Sequence, residues 1–526
     1  LIWRKWGEVN FSLGRREWWL VFLVVALSAR RIAAAIFYPF WVGDVWASWN
    51  RWAVMWTRIG GFSGNDFTYP QVLPAAWSYI YTLAGNVMSG EYYAHAMTAL
   101  FTVAVIWILA RWPERISRAS IFIFTGYLLF NQSSFLAADV GSGLADLPVT
   151  FFAVLSIYFL QAYWRGGGAG DLRRAMVAAA GAALTKQAGL FWWPAVIVLA
   201  VVGARGVEWK ERMRRIWWDG KWAMALSAGM VLLWYGVQNV TQAATFGQIV
   251  DALSGKGITE RLAAAVYITA QSWGIYLNIH TQPILAVVGM MAVAGGVVGF
   301  GFIYALIKSR FYRWLVLFFA TPNLLVWALI YSYDVRNSFI AIVPMLFVAA
   351  EGWGRWVEER WPVMKEGRFT VGKQLAAGVI ILLLGVAAWR QPILYKHLEN
   401  PFVWEGATDN IVIKKGRIWG WEGLIKAYLA EREAGREKVL TNDSAWVSKL
   451  HLEPEATIMS FFSVGGKIIE PERIARAAAE NDMIIVRGDN SQYADLRQIL
   501  GDKLGSKSVR ELYKDEEAGV YLLGLE

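Results

Sequence analysis

Asp44, Asp139, Asp146, Lys186, Asp334 and Arg336 each stand beside a long apolar stretch rather than inside a charged run. Carboxylates so placed can take a proton from a hydroxyl or hold a metal ion, and isolated cations can hold an anion. Each has a plainer reading. Asp44 equally suits the N-cap of the aromatic helix that follows it, and capping is compatible with chemistry because it fixes the carboxylate at a defined depth. Lys186 and Arg336 read alternatively as cations snorkelling from helix ends. Asp139 and Asp146 read as solvated loop acids, with Asp146 also placed to start a helix ahead of Pro148. Arg30 and Arg31 fall near the middle of an apolar stretch, where a charge is costly and usually faces a polar cavity. The chain has no Cys, which excludes disulfides, zinc–thiolate sites, iron–sulfur clusters and thiol nucleophiles.

The elements that must carry these residues are membrane helices. Of 526 residues 56% are hydrophobic and only 17% charged, too apolar a balance for a set of soluble domains. A hydrocarbon core about 30 Å thick needs about 20 apolar residues as helix. Eleven stretches qualify, at 18–40, 92–110, 116–132, 147–163, 174–187, 189–203, 222–240, 283–307, 313–331, 338–350 and 372–390. Lys and Arg gather in alternate connections (Arg15 and Arg16, Arg111 to Arg118, Arg205 to Lys221, Lys308 to Arg313, Arg355 to Lys373), which sets the N-terminus on the cytoplasmic side. An odd number of crossings then leaves the C-terminus outside. The formal charge of +10 therefore reads as the cytoplasmic rim of a membrane domain rather than a nucleic-acid surface.

The fold expected is a polytopic α-helical membrane protein. A transmembrane domain over residues 1–399 has external loops at 41–91 and 241–282, and a soluble extracytoplasmic α/β domain covers 400–526. In that last segment short β-rich runs at Val439 to Thr441, Ala456 to Met459, Met483 to Arg487, Val509 to Tyr513 and Val520 to Leu523 alternate with helical stretches at Pro471 to Glu480 and Ser491 to Leu500. In the first loop Trp46, Trp49, Ala53 and Trp56 share one helical face. This predicts an interfacial amphipathic helix beginning at Asp44 and stopped by Gly60 and Gly61.

Several of these elements, in this order, resemble the GT-C superfamily of integral membrane glycosyltransferases, in the branch that contains the protein O-mannosyltransferases and the aminoarabinose transferases. They are Asp44 after the first span, the aromatic–proline element Phe67-Thr68-Tyr69-Pro70, the acidic Gly143-Leu144-Ala145-Asp146-Leu147-Pro148, the Thr185-Lys186 pair between two spans, and Asp334-Val335-Arg336 leading to Pro344. The frequent Asp-Glu pair of that superfamily is Asp44-Val45 here. The resemblance implies a polyprenyl-phosphate-linked sugar donor, transfer at the outer face, and a lipid, glycan or protein acceptor. Asp44 is then the general base and Asp146 the second acidic residue. Lys186, Arg336, Arg30 and Arg31 are candidates for the donor phosphate, and Tyr69, Asp139 and Asp334 for the surrounding loops. A divalent ion (Mg or Mn) held by Asp44, Asp146 or His95 is one option and metal-free transfer the other. Membrane lipids are expected partners and nucleic acid is not. Trp217-Trp218-Asp219-Gly220 resembles the Trp-Trp-Asp element of oligosaccharyltransferases but falls in the most basic cytoplasmic loop, and reads as an interfacial aromatic pair. A transporter or lipid flippase using the same charged residues is the competing class; it calls for polar groups near the bilayer midplane.

Overall fold

The computed structural model describes residues 48–61, 70–85, 87–110, 143–203, 208–241, 298–327, 339–360, 421–443, 456–463, 466–505 and 507–526, with isolated residues including Phe40, Val45, Trp446 and Leu450. The expected spans 116–132 and 372–390, nearly all of 18–40, the first half of 283–307, the end of 313–331 and nearly all of loop 241–282 fall outside them.

The first helices are α1 (Trp49–Ile59), α2 (Val72–Leu83) and α3 (Val87–Ala110). Gly60 ends α1 in the left-handed region, at φ 67°, as the glycine pair predicts. The start differs from expectation. At Ser48 the backbone leaves the helical basin, at φ −124° and ψ −96°, so α1 begins at Trp49; Asp44, the expected start, lies outside the described residues. Nor does one face of α1 alone find cover. Asn50, Trp52, Ala53, Val54, Met55 and Trp56 are all buried, in a cluster with Leu73, Trp77 and Tyr81 of α2 and with Leu144 and Ala145.

The main helical core follows: α4 (Asp146–Trp164), α5 (Ala169–Thr185), α6 (Trp192–Gly203) and α7 (Trp209–Thr241). Among the described residues α4 is the helix long and apolar enough to cross a membrane, and Gln187–Val202 and Val298–Lys308 are shorter apolar helices. Alanine fills much of α5, with Ala175, Ala179, Ala182 and Ala183 fully buried, and this lets α4 approach closely. At the contact the Ser156 hydroxyl donates to the Ala175 carbonyl at 2.7 Å, and a Cβ on Gly181 would stand 2.7 Å from the Phe152 ring. Helix α7 is 33 residues long, about 50 Å at 1.5 Å per residue. It therefore continues on its basic N-terminal side beyond the apolar stretch expected at 222–240.

After α8 (Val298–Lys308) come α9 (Arg310–Leu315), a π-helical turn at Val316–Ala320, α10 (Thr321–Val326) and α11 (Phe339–Arg360). The π turn brings Phe319 edge-on to Trp192, with ring centroids 3.8 Å apart, and the buried Asn323 amide donates to the Phe319 carbonyl at 2.9 Å. Helices α8 and α11 cross at a glycine pair: a Cβ on Gly352 would lie 1.7 Å from the Gly301 carbonyl oxygen.

The chain's last part holds α12 (Glu422–Glu433), β1 (Val439–Thr441), β2 (Ala456–Ile458), α13 (Pro471–Ala479), β3 (Met483–Arg487), α14 (Asn490–Lys503), β4 (Val509–Asp515) and β5 (Val520–Leu525). The sheet order is β2-β1-β3-β5-β4. Strands β1, β2 and β3 run parallel, while β5 lies antiparallel to β3 and β4. Both faces are covered, by α12 with Trp446 and Leu450 on one side and by α13 and α14 on the other, which is why β1 and β5 are buried at every residue. An Asp489–Gln492 capping box starts α14. Each strand expected from the sequence is present within a residue or two at its ends. Trp421 packs on both the α1–α2 cluster and the sheet's α12 face, and Tyr92 of α3 packs on that same face, so the α/β unit rests on the end of α3.

The glycine crossing makes a specific prediction. Gly352→Ala should lower the thermal midpoint of the purified protein, because the added carbon meets backbone that cannot turn aside. Gly299→Ala, where no atom lies within 4 Å of the new carbon, should leave the midpoint unchanged or raise it. Equal midpoints for the two variants would show that α8 and α11 do not meet at this pair.

Candidate functional site

The Lys186 ammonium donates to Asp146 Oδ1 in an ion pair between side chains that are almost out of contact with solvent, their residues 8% and 2% exposed. Local sequence turns the lysine into place. Thr185 bonds back to the Gly181 carbonyl at 2.7 Å, and Lys186 then takes an extended backbone, φ −154° and ψ 148°, that ends α5. One 3-10 turn, Gln187–Gly189, follows. A Cβ on Gly189 would come within 2.1 Å of the Ala182 carbonyl oxygen, so the chain folds back on α5 only because this residue is glycine. The ammonium is thereby swung across to the first turn of α4. There Asp146 is the first helical residue; the cap position is Ala145, and no side chain caps it. Asp146 is therefore not the N-cap that its place ahead of Pro148 suggested. Its carboxylate sits at the positive end of the α4 dipole and on a cation.

Such a pair is an expensive thing to bury. Taking two charges from water costs several kcal/mol per ion, and apolar residues of similar volume often stabilise as well or better. A lysine held by one carboxylate keeps two further N–H donors, and it keeps them fixed and shielded from water. That suits an oxyanion that arrives with its own charge.

Two residues that flank Asp44 in sequence, Phe40 and Val45, are described. Phe40 and Val45 are fully buried and pack on Gly143, three residues before Asp146; a Cβ there would fall 2.4 Å from the Phe40 ring and 3.2 Å from Val45. Gly143 also has a φ of 82°. The Phe40 ring lies 4.5 Å from Trp77 and 4.8 Å from His95, between centroids. Glu91, in the first turns of α3, is fully buried and accepts the Phe40 amide at 2.9 Å and the Asn50 side-chain amide at 3.4 Å. Sequence reasoning missed Glu91, reading it as the last residue of a loop. The available signal was an acid directly followed by Tyr92 and Tyr93 at the head of an apolar run.

Of the residues singled out from the sequence, the structure brings Asp146 and Lys186 together and buries His95 behind Phe40. Asp44, Asp139, Asp334, Arg336, Arg30, Arg31 and Tyr69 lie outside the described residues. Among the described residues no group of three or more His, Asp or Glu side chains gathers as metal ligands would. The Trp217-Trp218-Asp219 element belongs to the opposite end of α4: Asp219 accepts the Tyr163 hydroxyl at 3.3 Å and pairs with Arg215 at 3.6 Å. Trp217 and Trp218 are 57% and 60% exposed, and the Lys221 ammonium stands 3.9 Å from the Trp218 ring centre, in keeping with an aromatic belt.

No protein-family model matches the chain, and no curated protein matches it in sequence. Its fold does match. Two crystal structures of ArnT from Cupriavidus metallidurans, one bound to undecaprenyl phosphate and one in the apo state, superpose with TM-scores of 0.56 and 0.55 at 12% identity. The alignments cover 96% and 97% of this chain and 97% and 98% of those chains. The chain thus shares the fold of these ArnT structures, as the resemblance to that branch implies.

The ion pair makes its own prediction. Lys186→Met leaves a buried carboxylate unpaired and should cost about 3–5 kcal/mol. Adding Asp146→Asn to it should recover most of that loss, as read from unfolding in detergent. A double variant no more stable than Lys186→Met alone would show that the two side chains do not depend on each other.

Proposed function

We propose that this protein is an integral membrane glycosyltransferase that moves a sugar from a polyprenyl-phosphate donor to an acceptor at the outer face of the membrane. The observation that carries the reading is the buried Asp146–Lys186 pair, within a fold shared over nearly the whole chain with ArnT, one of whose structures holds undecaprenyl phosphate.

In this reading the donor's phosphate lies against the Lys186 ammonium, and Arg336, Arg30 and Arg31 supply further positive charge. The acceptor hydroxyl attacks the anomeric carbon through an oxocarbenium-like state. The bond from that carbon to the phosphate oxygen breaks, and its electron pair leaves with the phosphate. The hydroxyl proton passes to the Asp44 carboxylate. Asp146 holds Lys186 in place while the negative charge on the leaving phosphate grows, so the ammonium needs no rearrangement at the moment of transfer. The eleven-helix count, the cytoplasmic N-terminus and the outer placement of the α/β unit belong to this same reading, supported by the distribution of basic residues.

Incubating the purified protein with a panel of polyprenyl-phosphate sugars and following donor consumption tests it. Wild type should consume at least one donor, and Asp44→Asn should lose at least two orders of magnitude in rate while eluting and unfolding as wild type does. A variant with near-normal turnover would remove Asp44 from the mechanism, and a wild type that consumes no donor would count against the activity itself.

A further inference from the structure

Asp219 lies at the end of α4 opposite Asp146. It accepts the hydroxyl of Tyr163, which stands 17 residues along that helix from Asp146, about 25 Å at 1.5 Å per residue. Two arginines from different helices converge on Asp219. Arg173, near the start of α5, donates its Nε–H to the Asp219 carbonyl at 2.6 Å, and Arg215, one turn earlier on α7, brings its Nε to 3.6 Å from Oδ2. A guanidinium carries five N–H donors in a planar fork, and among the described residues the outer nitrogens of these two meet no protein acceptor. Lys221 adds a third cation, its ammonium 3.9 Å from the Trp218 ring centre. The neighbouring Asp171 is engaged by Arg174 at 3.2 Å, so three positive groups gather around the one carboxylate of Asp219.

The same flank of α7 changes character along its length. At about 100° per residue, Arg215, Trp218, Asp219, Trp222, Leu226 and Leu233 fall within about a third of the helix circumference. The two tryptophans and two leucines are all exposed. From Trp222 to Leu233 the helix rises about 16 Å, half of a hydrocarbon core of about 30 Å, and Asp219 with its arginines stands about 5 Å further out. Apolar side chains thus cover the depth of one leaflet, tryptophans mark its edge, and guanidinium groups sit at the level of the headgroups.

We infer that this flank of α7, with Arg173 of α5, is a binding site for an anionic glycerophospholipid, its phosphodiester on the two arginines and its acyl chains along Leu226 and Leu233. The inference rests on the membrane placement within the proposed function and not on the transfer reaction. The planar fork of arginine matches two phosphate oxygens at once. A zwitterionic headgroup would bring a fourth cation to a place where one carboxylate already serves three. A rim that only recorded orientation would need the same number of charges but no carboxylate to hold two guanidinium groups side by side. A soluble phosphate would make no use of the exposed stripe beneath them.

Native mass spectrometry of the full-length protein, equilibrated in detergent with equal amounts of dioleoyl phosphatidylglycerol and dioleoyl phosphatidylcholine, tests the site. Wild type should retain the phosphatidylglycerol at least tenfold over the phosphatidylcholine. Each basic group beside an anionic lipid is worth about fivefold, so Arg173→Gln with Arg215→Gln should lower that ratio at least tenfold. Lys210→Gln with Arg214→Gln removes equal charge from the other flank of α7 and should keep the wild-type ratio. Lys221→Gln, a change at the exposed rings alone, should lower the ratio about fivefold and serves if the double arginine variant does not fold. Equal retention of the two lipids by wild type overturns the site, as does an equal fall in both double variants, which would reduce it to diffuse charge. Displacement of the phosphatidylglycerol by millimolar inorganic phosphate would overturn it in favour of a soluble anion. Retention of neither lipid would overturn the membrane placement along with the site.

Discussion

The ion pair between Asp146 and Lys186 constrains almost everything around it. To bury a lysine at the end of α5 against a carboxylate at the start of α4, the two helices must lie close along their length. The alanines of α5, Gly181 against Phe152 and the Ser156 bond to Ala175 all serve that approach. The chain must also reverse at once after the lysine, which fixes glycine at position 189. Hydrophobic burial alone would be satisfied by many registers of α4 on α5. A charge that must find its partner in a low-dielectric setting permits few.

Three further elements pack together at the same end of the molecule. Phe40 and Val45 pack on Gly143, Glu91 accepts the Phe40 amide from α3, and Tyr92 and Trp421 bring the α/β unit against the same corner. In the proposed function, polar groups at helix ends with apolar cover from neighbouring elements give a charged headgroup a place to leave water while its lipid tail stays in the membrane.

The sequence was most legible where one physical rule acts alone. Strands β1, β3 and β5 are nearly continuous apolar runs bounded by charged residues and turns, as strands covered on both faces must be, and their limits follow. Helix ends were less legible. Hydropathy reports the part of a helix that meets hydrocarbon, whereas α7 runs on through Lys210 to Arg215 and α11 through Arg355 to Arg360, where the backbone hydrogen bonds continue after the apolar surface has ended. The α1 start at Trp49 was hidden because the tryptophan spacing continues through Ser48 while the backbone does not. Residue types announced Asp146 and Lys186 as candidates, but nothing in the spacing joins residues 40 apart. Their pairing follows from the turn at 186–189, not from a motif. Glu91 was hidden for a related reason: two of its partners are a backbone amide and an asparagine, which carry no charge for a sequence reading to match.

The claim on which the account turns is that Lys186, held by Asp146, receives the donor's phosphate. Electron cryomicroscopy of the full-length protein with undecaprenyl phosphate addresses it most directly. The account predicts phosphate density within hydrogen-bonding distance of the Lys186 ammonium, with the Asp146 pair intact beneath it. A phosphate bound elsewhere on the protein, with Lys186 still sealed from the lipid, would contradict it.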